Sequence, residues 1–259
     1  VTFVGREAHM RAIREEGLHI TGIWGEHHVK ALQARTSVEG LRAGDFDLIL
    51  MCVKSYDTAE AVSAIAPLVD ENTLVCAYQN GLGNAETIAE RIGWERVVGA
   101  RAIYGVRLNE PGHIQITVIA NPTALGVYDS RARVERVKEI VWAMDTAGLP
   151  TVFREEIATL VWGKVAYNSA LNPLSALLDV PYGALIETDH TRKMMEDITY
   201  ELYAVADAMN VHLEPATPDA YVKDLFEKLI PPTAAHYASM REDLRRERRT
   251  EQDSINGSI

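Results

Sequence analysis

Lys164, Asn168 and Asn172 recur at four-residue intervals within WGKVAYNSALNPLSALL, residues 162–178. On an α-helix this spacing sets one ammonium and two carboxamides on a single, slowly drifting stripe. The rest of the stretch is mostly apolar: Trp162, Val165, Ala166, Ala170, Leu171, Leu174 and Leu177. An ammonium among apolar groups is pulled towards its neutral form, into a range useful for proton transfer. Carboxamides orient a ligand without adding charge. The competing reading for Lys164 is a side chain that runs out of a buried helix to water. For Asn172 it is capping, because the residue before a proline is biased out of the α region.

A second group sits at the ends of strand-like runs. VTFV ends in Gly5-Arg6, the apolar run at 46–53 ends in Lys54-Ser55, and LVCAY ends in Gln79-Asn80-Gly81-Leu82-Gly83. In a doubly wound sheet, ligands bind beyond the carboxyl ends of the strands. Two cations and a glycine-rich amide loop at such ends suit a phosphate-bearing, nucleotide-like ligand. Glycines let the backbone approach closely, and Arg and Lys supply charge.

The elements that must carry these groups change character once along the chain. FDLILMCVKS (46–55) and NTLVCAY (72–78) read as strands buried on both faces, as in a parallel sheet. TAEAVSAIAPLV, AETIAERIG and RARVERVKEIVWAMDTAGL read as the intervening helices, the last ended by Gly148. HIQITVIANPTALGVYD reads as a hairpin turning at Asn121-Pro122, and PTVFRE as one more strand. Beyond about residue 154 the strand signal stops. Residues 155–179, 184–210, 216–229 and 233–259 read as helix, with REDLRRERR as a solvated, charge-dense face. The predicted architecture is α/β, a Rossmann-like doubly wound sheet over 1–150 followed by an all-helical domain over 151–259.

The bulk numbers bound what such a chain does. The 259 residues carry a formal net charge of −11, which argues against broad nucleic-acid binding and requires a local basic pocket for any anionic ligand. No apolar run is long enough to span a membrane. The two cysteines, Cys52 and Cys76, lie in apolar runs and read as reduced core thiols, with the cytoplasm as the default compartment. Adjacent His27 and His28 read as a solvated turn, and no metal site is expected.

Taken in order, VGRE, CVKSYDT, QNGLGN, WGKVAYNSALNPLSAL, Ser239-Met240 and TEQDSINGSI resemble the ketopantoate reductase (2-dehydropantoate 2-reductase) family over essentially the whole chain. The resemblance implies an NADP-binding Rossmann domain, a helical domain, and an active site in the cleft between them. It implies hydride transfer from NADPH to the C2 carbonyl of 2-dehydropantoate, giving (R)-pantoate on the path to pantothenate and coenzyme A. By the same resemblance Lys164 is the general acid and Glu251 holds the substrate hydroxyl. Asn168, Asn172 and Ser239 bind substrate, Ser239 at the carboxylate, and Asn80 lies where cofactor and substrate meet. Arg6, Lys54, Asn80 and Gly81 fall to the cofactor. If VTFVGRE is the second strand of the fold, Arg6 stands where NADP enzymes bind the 2′-phosphate, with Glu7 as an acidic competitor.

The sequence also departs from the family. The first strand and its Gly-x-Gly-x-x-Gly loop are expected ahead of Val1, and the last helix is expected to run past Ile259, so the sequence reads as short at both ends. Tyr182 stands where the family often has a substrate-contacting asparagine, which opens the reading that another 2-keto acid is reduced. A third reading is a nucleotide-binding remnant without catalysis. The expected partner is a small 2-keto acid, and a homodimer is one assembly compatible with a helical second domain.

Overall fold

The computed structural model describes residues 1–259. Its first elements are short: β1 (Thr2–Val4), α1 (Glu7–Glu16), β2 (Leu18–Gly22), β3 (His27–Val29) and β4 (Gln33–Arg35). β1 and β4 pair in parallel as a two-stranded piece of their own. α1 packs on this piece through a small cluster of Met10, Ile13, Leu18 and Ala34. β2 then joins the main sheet beside a later strand, with β3 antiparallel on its outer side. His27 and His28 thus lie in a strand rather than in the turn expected for them.

The main sheet is completed by β5 (Leu48–Met51), β6 (Leu74–Ala77), β7 (Val97–Glu110), β8 (His113–Val127) and β9 (Thr151–Phe153). Its strand order is β3-β2-β8-β7-β6-β5, with β9 also on β8. Strands β5, β6 and β7 are parallel, while β7 and β8 form a long antiparallel hairpin. Every residue of β6 is buried, and its side chains alternate between two cores because successive strand residues face opposite sides. Val75 and Ala77 pack on α2 (Thr58–Ile65) and α3 (Asn84–Ile92) through Val62, Ile65 and Ile88. Leu74 and Cys76 pack with Val98 and Leu125 on α4 (Val134–Thr146) through Val137 and Ile140.

Three local expectations are corrected. Within residues 1–259 β5 pairs with β6 alone, and along its apolar run Leu50 is 43% and Val53 37% exposed. Cys52 is exposed with it, and only Cys76 is a core thiol. The hairpin turns at Pro111-Gly112, where Gly112 has φ 81°, not at Asn121-Pro122. Pro122 sits inside β8, where Asn121 faces Ile103 between two register shifts. A proline inside a strand is tolerated at such an irregularity, where no ladder donor is needed.

β9 still belongs to the sheet, and the helices follow it: α5 (Ile157–Leu178), α6 (Asp189–Ala208), α7 (Pro218–Asp224), α8 (Ser239–Arg245) and α9 (Gln252–Ile255). α5 is apolar on almost every side and therefore central. It touches α6, α8 and α9, and also β7 and β8 of the sheet. Trp162, Val165, Leu171 and Leu174 from α5 share one core with Leu185, Met195, Leu202, Leu225, Ile230 and Ile255. The helix expected over 233–259 is instead broken between α8 and α9. Glu247 there takes φ 52°, and the N–H of Arg248 turns back to the carbonyl of Asp243 at 2.8 Å. Arg245 would face Arg248 and Arg249 one turn on in a continuous helix, and like charges at that spacing repel.

Candidate active site

α5 crosses the sheet at the height of β7, and this crossing places Lys164. Its Nζ donates to the carbonyl of Ala102 on β7 at 2.6 Å. Burial lowers its pKa to about 8, helped by the nearby Arg101 cation and opposed by Glu251. Asn168, one turn on, lies half-buried on the same stripe. Asn172 is buried, and its Oδ1 accepts from the Tyr182 hydroxyl at 2.7 Å. Tyr182 itself packs edge-on against Tyr167, ring centroids 5.9 Å apart. One end of the Asn172 carboxamide is thus already occupied by the aromatic residue that departs from the family pattern.

The strand ends on the other side gather a charged cluster. The Glu251 carboxylate is buried, with Oε1 accepting from the Ser55 N–H at 3.1 Å and the Ser55 hydroxyl at 2.9 Å. Its Oε2 lies 3.2 Å from Lys54 Nζ. Lys54 Nζ also donates to Asp243 Oδ2 at 2.6 Å, and Arg248 donates to Asp243 Oδ1 at 2.8 Å. Burial works against the Lys54 charge, but the hydrogen bond to Asp243 and the Glu251 charge outweigh it, so its pKa is raised. Two cations and two anions balance here, as a buried charged group requires.

The β6–α3 loop closes the floor of the cleft. The Asn80 carbonyl accepts from the Ser55 hydroxyl and from Asn84 Nδ2, each at 3.0 Å. Gly81 has φ 86°, and a Cβ there would lie 2.5 Å from the carbonyl oxygen of Ser254. The glycine lets α9 press so close that the Leu82 N–H donates to Ser254 O at 2.7 Å. Gly83 opens α3 with φ 83°, and the space where its Cβ would stand is empty to 4 Å. A cavity of about 30 Å³ is lined here by Gln79, Gly81, Gly83, Asn84, Tyr128 and Trp162 among others. Gln79 Oε1 is buried without a partner. A helix start with free N–H groups, open space beside Gly83 and an unpaired carboxamide oxygen suit an anionic or polar ligand group.

The structure therefore brings Lys54, Asn80, Gly81 and Glu251 together and sets Lys164 within electrostatic reach of Glu251. Asn172 is tied to Tyr182 instead. Ser239 is exposed at the start of α8, one turn before Asp243. Arg6 is exposed at the start of α1, with no hydrogen bond into this cluster. Lys54 is neutralised by Asp243 and Glu251 rather than standing free as an anion-binding cation. Sequence reasoning missed Asp243 and Arg248, which lie in the run read as solvated; Asp243 is only 3% exposed. It also missed Arg101, whose Nε is buried without a partner.

Residues 1–130 match a family model described as "Ketopantoate reductase PanE/ApbA", and residues 156–259 its "C terminal" companion. The chain is 38% identical over 242 residues to the 2-dehydropantoate 2-reductase of Aquifex aeolicus, covering 93% of this chain and 77% of that one. It is 33% identical to that of Pyrococcus horikoshii, covering 100% and 81%. Among solved structures, a PanE/ApbA family ketopantoate reductase from Ralstonia eutropha JMP134 superposes with TM-score 0.86 at 27% identity, covering 100% of this chain and 81% of that one. D-mandelate dehydrogenase, solved with NADH and anilino(oxo)acetate, superposes with TM-score 0.84 at 25% identity, covering 100% and 82%. The sheet, the crossing helix and the relatives agree: this chain belongs to the ketopantoate reductase family.

Proposed function

We propose that the chain reduces 2-dehydropantoate to pantoate with NADPH, with Lys164 as the proton donor. The observation that carries this reading is Lys164 itself: an ammonium on a central helix, pulled down to about pKa 8 by burial, opposite a buried carboxylate in a cleft. A bound nicotinamide dinucleotide supplies the hydride to C2. As charge grows on the C2 oxygen, Lys164 holds at Nζ the proton that neutralises it. The Ala102 carbonyl takes one N–H of the ammonium and aims the others. Glu251 accepts from the substrate hydroxyl, and Asn168 and the free amino end of Asn172 donate to substrate oxygens. Arg101 adds positive potential beside Lys164, which suits a carboxylate in a chain of net charge −11. Ser239, exposed at the start of α8 one turn before Asp243, is assigned to the substrate carboxylate.

The dinucleotide is assigned to the β6–α3 loop, with Asn80, Gly81 and Gln79 at its polar groups and Arg6 at the 2′-phosphate. For the activity, steady-state rates with 2-dehydropantoate and NADPH are expected to fall about 10²–10⁴-fold in kcat on Lys164→Met. Unchanged kcat removes Lys164 from the chemistry. For the cofactor, Arg6→Ala is expected to raise the KM for NADPH well above any change for NADH. Equal effects on both sink the NADP assignment.

Tyr182 favours a second reading. Its buried ring and its hydrogen bond to Asn172 reshape the acyl side of the cleft, and D-mandelate dehydrogenase shares this fold. An aromatic 2-keto acid is the alternative substrate. A panel in which it exceeds 2-dehydropantoate in kcat/KM decides for it.

A further inference from the structure

The interior proline of α5 leaves one carbonyl without its helical donor. In an α-helix the N–H of residue i bonds to the C=O of residue i−4. Pro173 lies inside α5 and has no N–H, so the carbonyl of Ser169 loses that bond. Ser169 is fully buried, and an unpaired buried carbonyl is costly. Asn256 repairs it: its Nδ2 donates to Ser169 O at 3.1 Å.

Asn256 directly follows α9, which is a single turn of four residues, Gln252–Ile255. A helix that short does not hold its own place. It is anchored at both ends: at one by Glu251 on Ser55 and Lys54, at the other by Ile255 in the helical core, Ser254 O on the Leu82 N–H, and Asn256 on Ser169. Glu251 stands at the other end of the same turn, its carbonyl accepting the N–H groups of Ser254 and Ile255, each at 3.1 Å. Ser55 and Lys54 hold the Glu251 side chain from the sheet side, and the turn sets its backbone from the helical side. Ser169 lies on the helix that also carries Lys164, so this one bond ties the turn bearing the carboxylate to the frame of the ammonium.

We propose that Asn256 is a positioning residue for Glu251, acting through the Ser169 carbonyl that Pro173 frees. This rests on the reading of Glu251 as the group that holds substrate. Asn256 Oδ1 is buried without a partner, so only the amino end is used. A carboxylate at this position sets an acceptor against an acceptor.

The test is a double-substitution cycle in the full chain, assayed with 2-dehydropantoate and NADPH. Asn256→Ala is expected to lower kcat/KM for the keto acid about 10- to 100-fold, in line with the sensitivity of catalysis to ångström misplacement, with the KM for NADPH within twofold. Asn256→Asp is expected to lower it further. Pro173→Ala gives Ser169 O a helical donor in place of Asn256, so it is expected to lower kcat/KM for the keto acid by itself, and adding Asn256→Ala to that variant is expected to change little further. Equal losses in the two backgrounds, or no loss in the first, overturn the proposal.

Amide hydrogen exchange provides a readout that does not need turnover. In Asn256→Ala the hydrogen-bonded amides of residues 254–257 are expected to lose protection while those of α5 and α6 keep theirs. Loss throughout the helical domain marks a general packing role and also overturns the proposal. If the parent chain turns over no 2-keto acid, the functional reading fails, and the exchange result still decides whether Asn256 holds the turn.

Discussion

On the proposed mechanism Lys164 is at once the proton donor and a charge held at a cost in burial. The folded chain releases its proton near pH 8, whereas the ordinary lysine value is 10.5. Between these values the unfolded chain binds more protons, so stability rises with pH across that window; below it the folded state carries a charged lysine held against desolvation. Lys164→Met is therefore expected to raise the urea midpoint at pH 7, by a free energy on the order of 2 kcal/mol, while it removes activity. A lower midpoint refutes this view of the site. The catalytic profile follows the same proton: kcat/KM is expected to fall above about pH 8, where Lys164 loses it. Arg101 helps to hold that value down, so Arg101→Gln should move the alkaline limb upward, and an unmoved limb assigns it to another group. Asp243 binds two cations from a buried position. Asp243→Asn is expected to lose about 1–3 kcal/mol of stability by leaving them less well paired, read by denaturant unfolding.

At the scale of elements, what could be read in the sequence was whatever contrasts with its surroundings. Three polar residues in an apolar helix stand out, and so do Lys54 and Asn80-Gly81 at the ends of apolar strands. Asp243 and Arg248 do not, because a charged residue inside a charged run looks alike whether it faces water or a buried partner. The break before α9 was hidden in part because Glu251, which follows it, docks on Ser55, far away in sequence. Gly81 was legible as a turn residue but not as the point where α9 touches down. Gly81→Ala pushes a Cβ against the Ser254 carbonyl and strains a φ of 86°. It is expected to weaken keto-acid binding more than overall stability, seen as a raised KM with a melting temperature lowered by a few degrees. An unchanged KM separates α9 from the site.

For the whole molecule, the division of labour is between a sheet that presents a glycine-rich loop and a helical domain that presents ammonium and carboxylate. α5 is the member common to both, since it packs in the helical core and touches β7 and β8. The groups that converge on the cleft hang from that helix, from β7, from the β5–α2 and β6–α3 connections, and from α8 and the segment that leads into α9. No helix is long and apolar enough to cross a membrane. The chemistry is thus assembled from pieces that each fold with different neighbours.

The bonds from Lys54 to Asp243 and from Ser55 to Glu251 join residues 189 and 196 positions apart. Contacts of such range close the largest loops in the chain, and they form only after local structure has restricted it. The cleft is then the last part of the protein to be completed. On refolding from denaturant, fluorescence of a variant that keeps Trp162, in the helical core, as its one tryptophan of four should recover first, and reductase activity should return later, with the docking of residues 251–256. Simultaneous recovery of both signals would mean that the two ends of the chain find each other early.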